Sequence, residues 1–272
     1  MTQAATNTPQ TGEPFSEQRT QQILSDFYRD GYALIPGVLT ADEVATLREK
    51  VDAVFADPGA QESNTLYGSF VAARLFERDR YFRDMLVREP IISLCEAVLG
   101  ENCHLMAQNV VRNAPGEAID TFHVDDALEF PLPEVIARHD SRIRMPVFRM
   151  TVQIPLTDIE SEDLGPSQFV PGSHYSGRQP NDPKNPSFEG RGPVSVLCKA
   201  GDIYLHNGQC WHRGAPNRSD RVRYLLQHSM SVRWVAQRFY PFVNYQFPEG
   251  VLDGASDRLR RVLGFHTKGA YG

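Results

Sequence analysis

The sequence has no apolar run approaching the roughly 18 residues that would span a bilayer, so no membrane-crossing helix is expected. It has no excess of positive charge. Its 28 Lys and Arg stand against 34 Asp and Glu, a net charge of −6. Binding a phosphate backbone needs a basic field, so a nucleic-acid partner is not expected. Cysteine is scarce: Cys95, Cys103, Cys198 and Cys210 show no CxxC spacing. That argues against a zinc knuckle and a disulfide framework, and for reduced thiols. The opening MTQAATNTPQTGEP lacks the basic start and apolar core of a signal peptide. There is no internal repeat. These absences lead to the expectation of a soluble, cytoplasmic protein, with monomer and dimer fitting equally.

What is present is a set of helices followed by a turn-rich, β-rich remainder. Residues 1–15 read as a flexible tail and 16–272 as one domain. Ile23, Leu24, Phe27 and Tyr28 give an apolar face to a helix over Glu17–Arg29. Thr40 and Glu43 form a capping box for a second helix, with Leu39 and Val44 as its staple. Val44, Leu47, Val51, Val54 and Phe55 repeat at helical spacing behind it. Residues 58–79 read as a polar connection, with a strand or turn near Tyr67–Phe70. A third helical stretch is expected over Tyr81–Leu99, interrupted at Pro90. From His104 onward, short runs rich in β-formers alternate with Gly, Pro, Asn and Asp. That pattern predicts an antiparallel sandwich or jelly roll, hence an α+β, mainly β fold.

The chemistry starts at TFHVDDALEF. His123 and Asp125 are two residues apart, so in an extended segment both side chains leave one face. Two histidines and one carboxylate on one side of a metal make the facial triad of non-haem Fe(II) oxygenases. GDIYLHNGQCWHRGAPNRSDRVRYLL offers His206 and His212 as the third ligand, and the residues alone leave that choice open.

Four segments in order carry a family resemblance. They are FYRDGYALIPGVLTADEVATLREKVD, HVD, LGPSQFVPGSH and GDIYLHNGQCWHRGAPNRSDRVRY. The chain resembles the phytanoyl-CoA dioxygenase family of Fe(II)- and 2-oxoglutarate-dependent oxygenases over nearly its whole length after the tail. The resemblance implies a double-stranded β-helix (a cupin-like jelly roll) with N-terminal helices packed on one sheet. It implies His123, Asp125 and His212 as metal ligands, the last 87 residues beyond Asp125, and makes His206 a neighbour. The family expects a basic residue eleven positions after the distal histidine, and Arg223 stands there. Its planar fork suits the far carboxylate of 2-oxoglutarate, with Arg221 as the alternative. By similarity, Gln108, Asn109, Thr151 and Gln153 face the co-substrate.

The activity so implied is hydroxylation of an unactivated C–H bond of a small metabolite, secondary metabolites included. It would use Fe(II), 2-oxoglutarate and O2, and release succinate and CO2. Asp125 argues against halogenation, because related halogenases lack this carboxylate. A non-catalytic metal-binding sensor and a protein hydroxylase are the alternatives. Residues 58–79 and 176–193 are candidate lids, with plain surface connection the competing reading. His174 reads as a loop cap and Trp211 as core. Tyr204, Phe122 and Trp234 are core or pocket-lining. Arg258, Arg260 and Arg261 read as a solvated helix face.

Overall fold

The computed structural model describes residues 12–57, 70–238 and 245–266. Helix α1 (Glu17–Asp30) is capped by Ser16, whose hydroxyl accepts from the Arg19 N–H, and buries Ile23, Leu24 and Phe27. Gly31 ends it in left-handed backbone, φ 85°, where a Cβ would come within 2.7 Å of the His174 ring. Glycine alone suits both demands. Phe15, placed in the expected tail, packs against the helical core.

Strand β1 (Tyr32–Ile35) leads to α2 (Ala41–Ala56). The capping box is present: the Glu43 N–H donates to Thr40 Oγ1, and the Thr40 N–H to Glu43 Oε2. Of the expected polar connection, residues 58–69 lie outside the described residues. Its remainder forms β2 (Phe70–Ala73) and α3 (Leu75–Arg78), whose Leu75 and Phe76 are fully buried. The expected third helix is two, α4 (Arg80–Met85) and α5 (Ile91–Leu99), parted near Pro90. Proline supplies no N–H to continue the first helix and sits at the N-cap of the second.

The strands that follow are β3 (His104–Asn113), β4 (Ile119–His123), β5 (Arg149–Pro155), β6 (Ser167–Phe169), β7 (Val194–Ser195), β8 (Ile203–Asn207), β9 (His212–Gly214) and β10 (Arg223–Ser231). A short helix α6 (Asp257–Val262) comes last. The strands form two antiparallel sheets, a six-stranded one in the order β1-β8-β5-β10-β3-β2 and a four-stranded one in the order β4-β9-β6-β7. The arrangement is of jelly-roll type.

Alternation along the large sheet sorts its side chains. Met150, Val152 and Ile154 of β5 and Tyr224, Leu226 and Met230 of β10 join the helices in the main core. Val111, Tyr204 and Leu225 face the small sheet and pack with Ile159, Leu164 and Phe169. One irregularity matters. β3 and β10 shift register at Ser229/Met230, so Met106 is an extra residue between paired Leu105 and Ala107. Such a bulge resets which face a strand shows. Leu105 lies in the helical core, while Met106 turns to the space between the sheets.

Segment 176–193 is tied down across its length. Arg178 donates to the carbonyls of Ala137, Pro133 and Ile136. Phe188 is buried, and the Phe122 N–H donates to the Pro183 carbonyl. It is a fixed layer on the small sheet, which favours surface connection over lid. Of the C-terminal arginines, Arg260 is exposed as expected, and Arg258 and Arg261 differ. Arg258 pairs with Glu89 and Glu96, and Arg261 with Glu96, so they clamp α6 to α5 instead of forming a solvated face. All four cysteines are free and buried.

Candidate active site

β4 and β9 create the site by direct pairing. His123 and His212 are cross-strand partners, with ring centroids 4.3 Å apart. Opposed residues on one face of an antiparallel pair are obliged to meet. Asp125 follows two residues after β4, and its N–H donates to the Gly208 carbonyl at 2.8 Å. Ligand atoms of His123, Asp125 and His212 all lie within 4.8 Å of one another.

The protonation pattern suits a metal. His123 Nδ1 lies 2.9 Å from the Thr121 carbonyl, and His212 Nδ1 lies 2.9 Å from the Cys210 carbonyl. A carbonyl only accepts, so each Nδ1 carries the hydrogen and each Nε2 presents a lone pair. Burial pushes the His212 imidazole down to about 3, against the pull of Asp125, and so keeps it neutral. Burial would raise Asp125, but the imidazoles of His212, His206 and His123 outweigh it and hold the carboxylate well below its usual range. Two imidazoles and one carboxylate, with the opposite side open to a cavity, are the donor set of a non-haem Fe(II) site.

Asp125 divides its oxygens. Oδ1 lies 3.6 Å from His212 Nε2, and Oδ2 lies 3.4 Å from His206 Nε2. His206 thus stands beside the carboxylate, at the oxygen turned away from His212. Its ring is 2% exposed and sits on β8, opposite Thr151.

The triad opens into a cavity of about 280 Å³ between the sheets. Arg223 lines the same cavity. Its guanidinium donates to the Gly165 carbonyl and to Asn113 Oδ1, both neutral acceptors. Its Nε has no partner. No carboxylate among the described residues pairs with it, although the residue is only 4% exposed. A buried cation with a free donor is costly unless an anion completes it. Arg221 precedes β10, is exposed and lines an outer groove, so it does not share the site.

Asn109, Thr151 and Gln153 line the cavity. Thr151 Oγ1 meets Ser229 Oγ at 3.1 Å, and Gln227 donates to Gln153 Oε1 at 3.0 Å. Gln108 is a correction. Adjacent strand residues face opposite ways, and Gln108 points into the helical side, where it donates to the Phe82 carbonyl and meets His228. It does not touch the cavity.

His174 is buried with Nε2 on the Tyr28 carbonyl, away from the triad. Trp211 is core, donating to the Arg178 carbonyl. Tyr204 is buried, with its hydroxyl 2.8 Å from Ser167 Oγ. Phe122 packs outside the small sheet with Val170 and Trp211, and Trp234 is 69% exposed, so neither lines the cavity. Asn113, Gln227 and Ser229 were missed. Period-two counting from Arg223 would have found the last two; the first is Arg223's cross-strand partner.

The chain is 22% identical to the protein Rv1501 of Mycobacterium tuberculosis over 245 residues, covering 88% of this chain and 84% of that one. It is 27% identical to the dioxygenase af480 of Aspergillus fumigatus over 193 residues, 69% of this chain and 56% of the relative. Its fold is similar to that of the non-haem α-ketoglutarate-dependent epimerase SnoN of nogalamycin biosynthesis, with TM-score 0.62, 21% identity and 80% and 85% of the two chains covered. It is also similar to HygX of Streptomyces hygroscopicus with nickel and 2-oxoglutarate bound, with TM-score 0.61, 17% identity and 84% and 95% covered. The family model for phytanoyl-CoA dioxygenase (PhyH) matches residues 27–225, a span that holds all three triad residues and Arg223, and the chain belongs to the phytanoyl-CoA dioxygenase family of Fe(II)- and 2-oxoglutarate-dependent oxygenases.

Proposed function

We propose that this enzyme hydroxylates an unactivated C–H bond of a small molecule, with His123, Asp125 and His212 holding Fe(II) and Arg223 holding 2-oxoglutarate. The observation that carries the reading is the buried, uncompensated Arg223 guanidinium in the same cavity as the triad. A metal-binding sensor without oxygenase activity has no use for that cation.

Bound iron, with 2-oxoglutarate and O2, supplies an oxidant able to take hydrogen from an unactivated carbon, with succinate and CO2 released. The chain supplies the rest. His123 and His212 present Nε2, each fixed by a backbone carbonyl. His206 turns Asp125 so that one oxygen faces the metal position. Asn113 and Gly165 hold the Arg223 guanidinium at the cavity wall, where its uncompensated charge would receive the far carboxylate of the co-substrate. Asn109, Thr151 and Gln153 add hydrogen-bonding groups to the cavity, and Val111, Phe169 and Leu225 keep its wall apolar and poor in water. Asp125 occupies the position that a halide would need.

The small cavity favours a small-molecule substrate over a polypeptide. Solved relatives hold such ligands: SnoN is described with nogalamycin RO and HygX with hygromycin B. A secondary metabolite fits this reading. The epimerase SnoN and the carbocyclase SnoK favour a second outcome, in which the same hydrogen removal ends in inversion or ring closure.

The test is O2-dependent succinate formation from 2-oxoglutarate across a metabolite panel, with the product's mass measured. Hydroxylation adds one oxygen atom; ring closure removes two hydrogens; epimerisation changes neither. Background succinate formation by the Fe(II)-loaded enzyme under every condition would contradict the proposal.

A further inference from the structure

Asp125 sits at the start of a bend that one buried arginine holds together. Arg149 opens β5 on the cavity face, in step with Thr151 and Gln153, and its side chain is 8% exposed. Its Nη2 donates to the backbone carbonyl of Asp125 and, at 3.4 Å, to that of Ala127. Its Nε donates to Glu129 Oε1 at 2.9 Å, and its Nη1 pairs with the Asp126 carboxylate. Every arm of the fork therefore ends within residues 125–129.

That bend needs holding. Asp126 lies in left-handed backbone, φ 55°, which L-residues adopt uncommonly and aspartate more readily than most. Arg238, at the edge of the cavity, takes the second Asp126 oxygen. Gln209 grips the bend from the turn between β8 and β9, accepting from the Glu129 N–H at 3.0 Å and donating to the Ala127 carbonyl at 3.2 Å. Gly208 lets all this approach: a Cβ there would stand 3.2 Å from Asp125 Cβ, 3.3 Å from its Oδ2 and 3.4 Å from Arg149 Nε.

We propose that Arg149 is a positioning residue for the metal-binding carboxylate, locking residues 125–129 so that Asp125 meets His123 and His212. The proposal rests on the metal-site reading above. It touches neither metal nor substrate and acts only through the bend. Lysine cannot replace it, because a single ammonium cannot span two backbone carbonyls and two carboxylates at once.

The test is titration of the metal-free full chain with Co(II), followed by its visible ligand-field absorption. Arg149→Lys keeps a cation between the same carboxylates, and so the fold, while losing the fork. Removing groups that orient metal ligands weakens metal about 10- to 100-fold, and that loss is expected for Arg149→Lys and Arg149→Met. At saturating Co(II), both spectra should move toward that of Asp125→Ala. Should Arg149→Met fail to fold, Arg149→Lys decides alone. Wild-type affinity or a wild-type saturated spectrum in Arg149→Lys overturns the proposal and leaves the metal site standing. Absence of Co(II) binding by the wild-type chain overturns both.

Discussion

Replacing Arg223 with leucine should separate co-substrate binding from metal binding. In the wild-type protein the guanidinium is buried, its Nε is free and no described carboxylate neutralises it. A hydrogen bond to a charged group is worth about 1.5–3 kcal/mol, and truncating one partner of a buried charge pair costs about 2–5 kcal/mol. Taking roughly 3 kcal/mol, 2-oxoglutarate affinity should fall on the order of 100-fold. The metal should be held as before, since Arg223 touches none of the triad. Stability should change little. The variant strands the Gly165 carbonyl and Asn113 Oδ1, each at about 1–3 kcal/mol, but also removes a desolvated, unpaired charge. The assay is anaerobic calorimetric titration of the Fe(II)-loaded protein with 2-oxoglutarate, and in parallel with 2-oxobutanoate, which lacks the far carboxylate. The wild type should prefer 2-oxoglutarate about 100-fold, and Arg223→Leu should show almost no preference. An undiminished preference in the variant would refute the assignment.

His212→Ala should abolish metal-dependent succinate formation, whereas His206→Ala should retain it with metal weakened about 10-fold or more, measured by Fe(II) titration. Burial pushes His228 to about 3 and His174 to about 4, so both stay neutral in the folded protein where an unfolded histidine, near 6.5, has gained a proton. The unfolded state then binds more protons, and stability present above about pH 6.5 is lost as pH falls toward the folded values. At pH 5 this is about 2 kcal/mol per histidine, so His228→Gln should flatten the fall of Tm between pH 6.5 and 5; an unchanged slope would contradict it. Thr40→Ala breaks the capping box and should cost about 1 kcal/mol in urea unfolding, recovered in part by Thr40→Ser.

Local signals decided how far the sequence could be read. The Thr40–Glu43 box and the apolar spacing behind it act within a few residues, and α2 formed as they require. Family spacing names His212 over His206; the β4–β9 pairing sets His212 directly opposite His123, while His206 comes from the other sheet. Gln108 shows the limit of similarity without parity. It was named together with Asn109, yet adjacent residues on β3 cannot share a face. Met106 shows the opposite limit, because a bulge turns it to the cavity against the count and no residue type announces the bulge. Arg149 was not read as functional at all. Its role lies in contacts with residues about twenty positions earlier, which only the folded bend brings together.

The most direct test of the account is optical. Fe(II) added anaerobically to the wild-type protein, followed by 2-oxoglutarate, should produce the weak visible charge-transfer band of a chelated keto acid. The band should be absent from His212→Ala, and in Arg223→Leu it should appear only at far higher 2-oxoglutarate. A wild-type protein that binds Fe(II) and shows no band at saturating 2-oxoglutarate would contradict the account.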